Sequence, residues 1–510
     1  MHNEMGDHSM QSLFPHIQAF SNYLPQKIAL CTDQETLSYL QLVQLIKQTM
    51  QYLSALSPKV VALYAENSPA WVVVDLACQE LGICLLPLPT FFSSTQLQHA
   101  IKASAADVLL IDSQQAKNSS LTTVFTSGQQ PLQIATQIFS VYSRPRNQQQ
   151  RFPEHTGKIT FTSGSTGTPK GVCLSNQHIL SVALSLKNSL QLSKVQHLSL
   201  LPLSTLLENI AGIYIPLLAG GKITLLPAKQ TGLSGSSQLN IEKLLSCLNT
   251  YKPESLILIP ELLRALVMAL KQGFLAPQSL KFIAVGGAKV AKQLIQDARK
   301  LGLPVYEGYG LSECASVLCV NTPKNNSIGT VGKPLSHTEI VIRAGEVFVK
   351  QPVFLGYLNQ LNSWHPKEFA TGDLGYQDQH GFIHINGRKK NIMISSFGRN
   401  ISPEWLESEL LTYFSQAIVF GDQQAHCIAL ISPLPNKIEM DQPQAIQEII
   451  TKINQNLPDY AHIKQWLALD EPFSIQNGLL TETGKPKRDA IYHYYHAQIK
   501  QLYTTHSLFN

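Results

Sequence analysis

Charge is scarce in this sequence. Of 510 residues, only 14% are Asp, Glu, Lys or Arg, and the formal net charge is +5. So small an excess over this length argues against nucleic acid or an acidic membrane surface as a partner. None of the eight cysteines belongs to a CxxC pair. That spacing speaks against zinc and redox sites, and buried free thiols of a cytoplasmic protein are expected. Long apolar runs are missing too. The stretch 198–226 is broken by Glu208, Asn209, Lys222 and several Gly and Pro residues. A spanning helix needs about 20 mainly apolar residues, so none is expected. The first ten residues are polar and do not read as a secretory signal. No fixed-period repeat and no long low-complexity tract interrupts the chain.

What is present is enough apolar material, 44% of residues, to build cores. At about 100–200 residues per domain, two to four units are expected. Short apolar runs at 59–64, 108–111, 158–161, 255–259 and 281–285 read as strands. Helical spacing occupies 71–81, 177–190, 261–270 and 290–301. This order predicts α/β layers with largely parallel sheets. The texture changes after about residue 331. Strands at 339–343 and 346–350 flank Ala344-Gly345, a hairpin signal. A strand at 381–386 leads into the charged Gly387-Arg388-Lys389-Lys390-Asn391. Mixed elements follow: helix 403–411, strand 427–431 and helix 444–457. The boundary is placed near Lys390, giving a large α/β domain (1–389) and a small α+β domain (390–510).

The most informative stretch is Thr162-Ser163-Gly164-Ser165-Thr166-Gly167-Thr168-Pro169-Lys170-Gly171. Its glycines permit positive φ and close backbone approach. Consecutive amides in such a loop make an anion-binding concavity, to which the hydroxyls add donors and Lys170 a charge. A strand before it and a helix after it are the expected setting. It is not a Walker loop, because no glycine pair spaced by four residues precedes Lys and Ser/Thr. Ordinary kinase or GTPase chemistry is therefore not expected.

The stretch resembles the signature loop of the adenylate-forming superfamily, which includes acyl-CoA synthetases, luciferases and peptide-synthetase adenylation domains. It agrees with that pattern, Thr-Ser-Gly-Ser/Thr-Thr-Gly-x-Pro-Lys-Gly, at every specified position. The resemblance continues in order from about residue 25 to Lys485. Tyr306-Glu307-Gly308-Tyr309-Gly310-Leu311-Ser312-Glu313 is similar to the second signature, Tyr-Gly-x-Thr/Ser-Glu. The resemblance implies that Tyr309 stacks on adenine, Ser312 meets the α-phosphate side and Glu313 binds Mg²⁺. It places Glu307 and Gly308 in the same nucleotide site, and Gly286-Gly287-Ala288 on the other adenine face. Thr371-Gly372-Asp373 resembles the ribose motif, with Arg388 as second ribose contact. Lys485, in Thr483-Gly484-Lys485, resembles the lysine that a mobile C-terminal domain inserts into the site, and Lys390 stands at the hinge.

The implied reaction is activation of a carboxylic acid by Mg·ATP to an acyl-adenylate, with Lys170, Glu313 and Lys485 catalytic, followed by transfer to a thiol, expected to be that of CoA. Gly387 to Glu409 and the segment around Lys485 most resemble long-chain fatty-acid–CoA ligases. An acid pocket is expected from segments 197–215 and 286–317, which are rich in Leu, Ile, Ala and Val. Three positions depart from the family pattern. Thr205 and Asn176 each stand where relatives carry His, and Phe397 replaces a glycine near the pantetheine tunnel. An acyl-AMP ligase that loads an acyl carrier protein is the alternative acceptor reading. A non-catalytic nucleotide-binding protein is the alternative of another class, opposed by Lys170, Glu313, Asp373, Arg388 and Lys485 all being present.

Overall fold

The structure is a computed structural model. It describes residues 12–116, 120–146, 151–162, 169–234, 238–350, 354–434, 443–481 and 484–506. Among these residues two nine-stranded sheets dominate the first two thirds of the chain, and a four-stranded antiparallel sheet follows them. Near the C-terminus a three-stranded sheet packs with helices Pro403–Leu410 and Pro443–Asn454.

The α/β alternation expected from the sequence is present. In one large sheet, Val60–Tyr64 pairs in parallel with Cys84–Pro87 and Val108–Asp112. These strands are buried on both faces, which explains their continuous Val, Leu and Ile content. In the other, Ser255–Leu258, Phe282–Val285 and Val305–Tyr309 lie side by side and parallel. Their connections carry helices Pro260–Lys271 and Lys292–Lys300. The hairpin at Ala344-Gly345 also forms, with φ of 48° and 77° at its two central residues. A helix absent from the sequence expectations, Tyr39–Leu56, buries Leu42, Val43, Ile46 and Leu53 along one stripe. A Ser38/Gln41 capping box starts it.

One local expectation fails. The glycine-rich loop is not followed directly by a helix. Lys170–Ser175 is a second strand, antiparallel to Thr156–Thr162, with Thr162 opposite Lys170. The loop therefore joins two strands of a hairpin. Its second strand is held on both sides, because Val172 and Cys173 also pair with Tyr357 and Gly356. The helix Asn176–Leu190 begins only where Ser175 Oγ accepts from the His178 amide. Its N-terminal dipole therefore starts a full strand away from the loop.

All eight cysteines are free and buried. Among the described residues no helix is long and apolar enough to cross a membrane.

Candidate active site

In open α/β sheets ligands bind outside the carboxyl ends of parallel strands. Three such ends converge here. The 255–258 strand runs into Ile259-Pro260, the 282–285 strand into Gly286-Gly287-Ala288, and the 305–309 strand ends on Glu307-Gly308-Tyr309. Gly287 has φ +87°, a conformation that side chains rarely adopt, and turns the chain at the strand end. At Gly310 an added Cβ would lie 1.6 Å from Ser316 O, so only glycine lets the chain fold back there.

These ends open into a cavity of about 3890 Å³. Its walls include Thr162, Lys170, Gly287, Ala288, Glu307, Gly308, Tyr309, Ser312, Glu313, Asp373, Arg388, Lys390 and Lys485. The structure thus brings these sequence-predicted residues to one space. Ser163, Gly164, Ser165, Thr166 and Gly167 lie outside the described residues, so only the two ends of their loop are placed.

Two polar clusters organise the cavity. In the first, the Tyr309 hydroxyl donates to Asp373 Oδ2 at 2.5 Å. Arg388 Nε meets Asp373 Oδ1 at 2.7 Å, and its Nη1 donates to Thr371 O at 3.2 Å. Strand register explains the pairing, since Asp373 lies directly opposite Arg388 in the antiparallel pair Glu368–Gln377 and Ile383–Arg388. Burial pushes the pKa of Asp373 up, while Arg388 and the Tyr309 hydrogen bond pull it back. In the second, Glu313 Oε1 accepts from the Tyr357 hydroxyl at 2.8 Å, and Lys170 Nζ stands 5.3 Å from the centre of the Tyr357 ring. Tyr357 ties the lysine after the loop to the carboxylate on the facing segment. The sequence reading missed it, for a lone Tyr ending a short strand gives no signal.

Glu307 is almost fully buried, and desolvation raises its pKa to about 8, against the opposing pull of Lys289. It is therefore mostly protonated at neutral pH and able to donate a hydrogen bond. Lys289, also in the wall, donates to Ile385 O. Burial lowers its pKa, with Glu307, Glu409 and Glu404 opposing.

Lys485 reaches the cavity from the far end of the chain. Its backbone is tied to Thr481, with Thr481 N donating to Lys485 O at 2.8 Å and Lys485 N to Thr481 Oγ1 at 3.0 Å. The residue lines the cavity and keeps solvent exposure. Desolvation by the walls lowers its pKa, Arg388 adds repulsion and Glu261 counteracts. Lys487 and Arg488 differ in their surroundings: Lys487 is exposed, whereas Arg488 pairs with Glu407 and donates to Val419 O at 2.6 Å. Arg488 thereby anchors the lysine-bearing segment to the three-stranded sheet.

Both segments expected to form an acid pocket contribute to the cavity, including Leu207, Ala211, Ile215 and Val317. Leu190, Val195 and Leu256 extend the apolar wall. Arg264 lines the same space, and its buried Nε has no hydrogen-bond partner among the described residues. Thr205 lines the cavity and spends its hydroxyl on Pro202 O at 2.7 Å. Asn176 donates to Gln79 O at 3.0 Å and fills the space over Gly157, a structural role. The ring of Phe397 is 74% exposed and is not part of this cavity lining, so it does not narrow the space in this arrangement.

Residues 17–358 match the family described as AMP-binding enzyme, and residues 390–507 match its C-terminal domain. The 2-succinylbenzoate–CoA ligase of Bacillus subtilis is 25% identical, over 91% of this chain and 96% of its own. The mouse long-chain-fatty-acid–CoA ligase ACSBG2 is 24% identical, over 92% of this chain and 89% of its own. Among solved structures, the B. subtilis o-succinylbenzoate CoA synthetase with its acyl-adenylate superposes with a TM-score of 0.72 at 23% identity, covering 93% of this chain and 97% of that one. The anthranilate CoA ligase AuaEII with anthranoyl-AMP gives 0.77 at 18% identity, covering 95% and 97%. With strand ends, paired signatures and both family domains in order along one chain, this protein belongs to the AMP-binding, adenylate-forming enzymes.

Proposed function

We propose that this chain is an acid–thiol ligase that activates an aliphatic carboxylic acid with ATP and passes the acyl group to CoA. The observation that carries the reading is the continuity of the cavity. One space joins the Tyr309–Asp373–Arg388 cluster, the Lys170–Tyr357–Glu313 cluster, Lys485 and an apolar chamber. A single small-molecule pocket is about 300–1,000 Å³. A cavity of about 3890 Å³ has room for nucleotide, acid and thiol together.

In the first half-reaction a carboxylate oxygen attacks the α-phosphorus of ATP and pyrophosphate leaves, giving an acyl-adenylate. Tyr309 presents its ring to the adenine, and Asp373 with Arg388 holds the ribose. Neutral Glu307 donates to a ring nitrogen of the base. Lys170 and the loop amides hold the β- and γ-phosphates. Glu313 is a lone carboxylate beside a hydroxyl. It fits Mg²⁺, which keeps several waters and binds through one or two carboxylates plus substrate phosphates. Held there, the ion would neutralise phosphate charge. Lys485, a positive charge in the cavity wall, stabilises charge developing between carboxylate and phosphate. In the second half-reaction the CoA sulfur attacks the acyl carbon and AMP leaves. Residues 390–510 form the moving domain and Lys390 its hinge, where few backbone angles need change.

The apolar wall supports an acyl chain as substrate, as the similarity to the mouse fatty-acid enzyme does. Arg264 favours a second reading, an aromatic acid with a further carboxylate, in line with the similarity to the 2-succinylbenzoate enzyme. A pyrophosphate-release screen over straight-chain, aromatic and dicarboxylic acids separates the two. Release with straight-chain acids, followed by capture on CoA rather than on acyl carrier protein, is the expected result. Release confined to aromatic dicarboxylates overturns the chain preference, and transfer to carrier protein alone overturns the acceptor.

A further inference from the structure

A buried ion pair lies outside the two clusters described above. Lys158 Nζ meets Asp75 Oδ1 at 2.8 Å, with the two side chains 3% and 1% exposed. Lys158 also donates to Asn209 Oδ1 at 2.5 Å and to the Tyr214 hydroxyl at 2.9 Å. Asp75 Oδ2 accepts from Asn209 Nδ2 at 2.8 Å and from the Tyr214 hydroxyl at 2.6 Å. The lysine stands over the Tyr214 ring. Asp75 and the ammonium thus have their partners inside the protein, as a buried pair must.

The placement of the four residues is informative. Lys158 lies on the Thr156–Thr162 strand, which runs directly into the phosphate loop. Asp75 lies on the helix Pro69–Glu80 beside the same sheet. Asn209 and Tyr214 lie on the segment Leu207–Tyr214, which is a π-helix. In an α-helix, residues five apart diverge by about 140° around the axis. The wider i→i+5 turn brings Asn209 and Tyr214 to one side, where both reach Asp75. On another side the same segment and its continuation present Leu207, Ala211 and Ile215 to the cavity. Its neighbouring residue Glu208 is pinned to the other large sheet, through His197 Nε2 at 3.0 Å, and His197 Nδ1 meets Ser255 Oγ at 2.9 Å. Gly212 makes room for this second anchor, since a Cβ there would lie 2.5 Å from Glu208 Oε1.

We infer that the Lys158–Asp75 pair, with Asn209 and Tyr214, is a specificity-determining positioning device that locks the π-helical wall of the acid pocket against the Thr156–Thr162 strand. None of the four residues lines the cavity. They act through Leu207, Ala211 and Ile215, and so set the width of the pocket rather than the chemistry. The device presupposes the acid activation proposed above.

The test uses full-length Tyr214→Phe, Asn209→Leu and Lys158→Met/Asp75→Leu proteins beside the parent. Acid-dependent pyrophosphate release is measured over a series of straight-chain and branched acids, together with KM for ATP. The ratio of kcat/KM between two acids, taken on one preparation, does not depend on the folded fraction. A released wall admits broader chains. The branched-to-straight ratio is expected to rise about tenfold in Asn209→Leu and the double variant, the size of effect one or two methylenes produce. It rises less in Tyr214→Phe, and KM for ATP is unchanged. Tyr214→Phe removes only one hydroxyl and retains the ring, so it covers failure of the others to fold. Parental ratios in the soluble variants overturn the positioning role and leave the acid-activating function standing. Absence of acid-dependent release from the parent overturns that function, and the inference with it.

Discussion

The Tyr309 hydroxyl donates to Asp373 at 2.5 Å, so the aromatic residue of one signature aims the carboxylate of another 64 positions away. The two residues meet because Tyr309 ends a parallel strand of a large sheet while Asp373 sits in the four-stranded antiparallel sheet beside it. Replacing Tyr309 with Phe keeps the ring and removes the aiming bond. A hydrogen bond to a charged group contributes about 1.5–3 kcal/mol, or roughly 10–100-fold. KM for ATP should rise by about tenfold, with the acid preference retained. Steady-state kinetics with varied ATP checks this.

Lys485 is the one proposed catalytic group supplied by the C-terminal segment. Lys485→Ala should slow adenylation by about 100-fold or more, the cost of removing one preorganised donor of transition-state charge. ATP affinity, measured by titration calorimetry, should barely change, because the proposed nucleotide contacts come from Tyr309, Asp373, Arg388 and Lys170. Parental rates of acid-dependent pyrophosphate release would remove Lys485 from the mechanism.

Glu307 links pH to both stability and binding. Its ordinary pKa of 4.5 is raised to about 8 by burial, so the native state retains a proton that the unfolded chain releases. This contribution to stability is full below about pH 4.5 and is lost as pH rises towards 8. The slope is about 1.4 kcal/mol per pH unit across that window. Glu307→Gln should flatten this decline in urea-unfolding series at several pH values. It should also remove an alkaline limb near pH 8 from the pH profile of kcat/KM for ATP.

The Lys158–Asp75 pair should behave as a buried ion pair with respect to stability. Removing one partner leaves an uncompensated charge and costs about 3–5 kcal/mol, while replacing both with apolar residues costs much less. Lys158→Met should lower the urea midpoint strongly, and Lys158→Met/Asp75→Leu should recover most of the loss.

The sequence disclosed the site better than its surroundings. Gly287, Tyr309, Glu313, Asp373 and Lys485 belong to local motifs, and a motif is visible wherever it stands. The parallel strands were legible because burial on both faces demands uninterrupted Val, Leu and Ile. The strand Lys170–Ser175 was not, because it follows the phosphate loop directly and runs into a helix without a breaker. Lys158 reads as an ordinary strand lysine. Its partners lie 51, 56 and 83 positions away, so only the assembled fold shows that it is buried. The π-helix was likewise hidden, since an apolar segment read with a period of 3.6 places Asn209 and Tyr214 on different faces.

The most direct test of acid activation is isotope exchange between labelled pyrophosphate and ATP, with no thiol present. Exchange should require an aliphatic acid, require Mg²⁺ and fall by about 100-fold or more in Lys485→Ala. Exchange that proceeds without acid, or ATP turnover that yields ADP and phosphate, would contradict it.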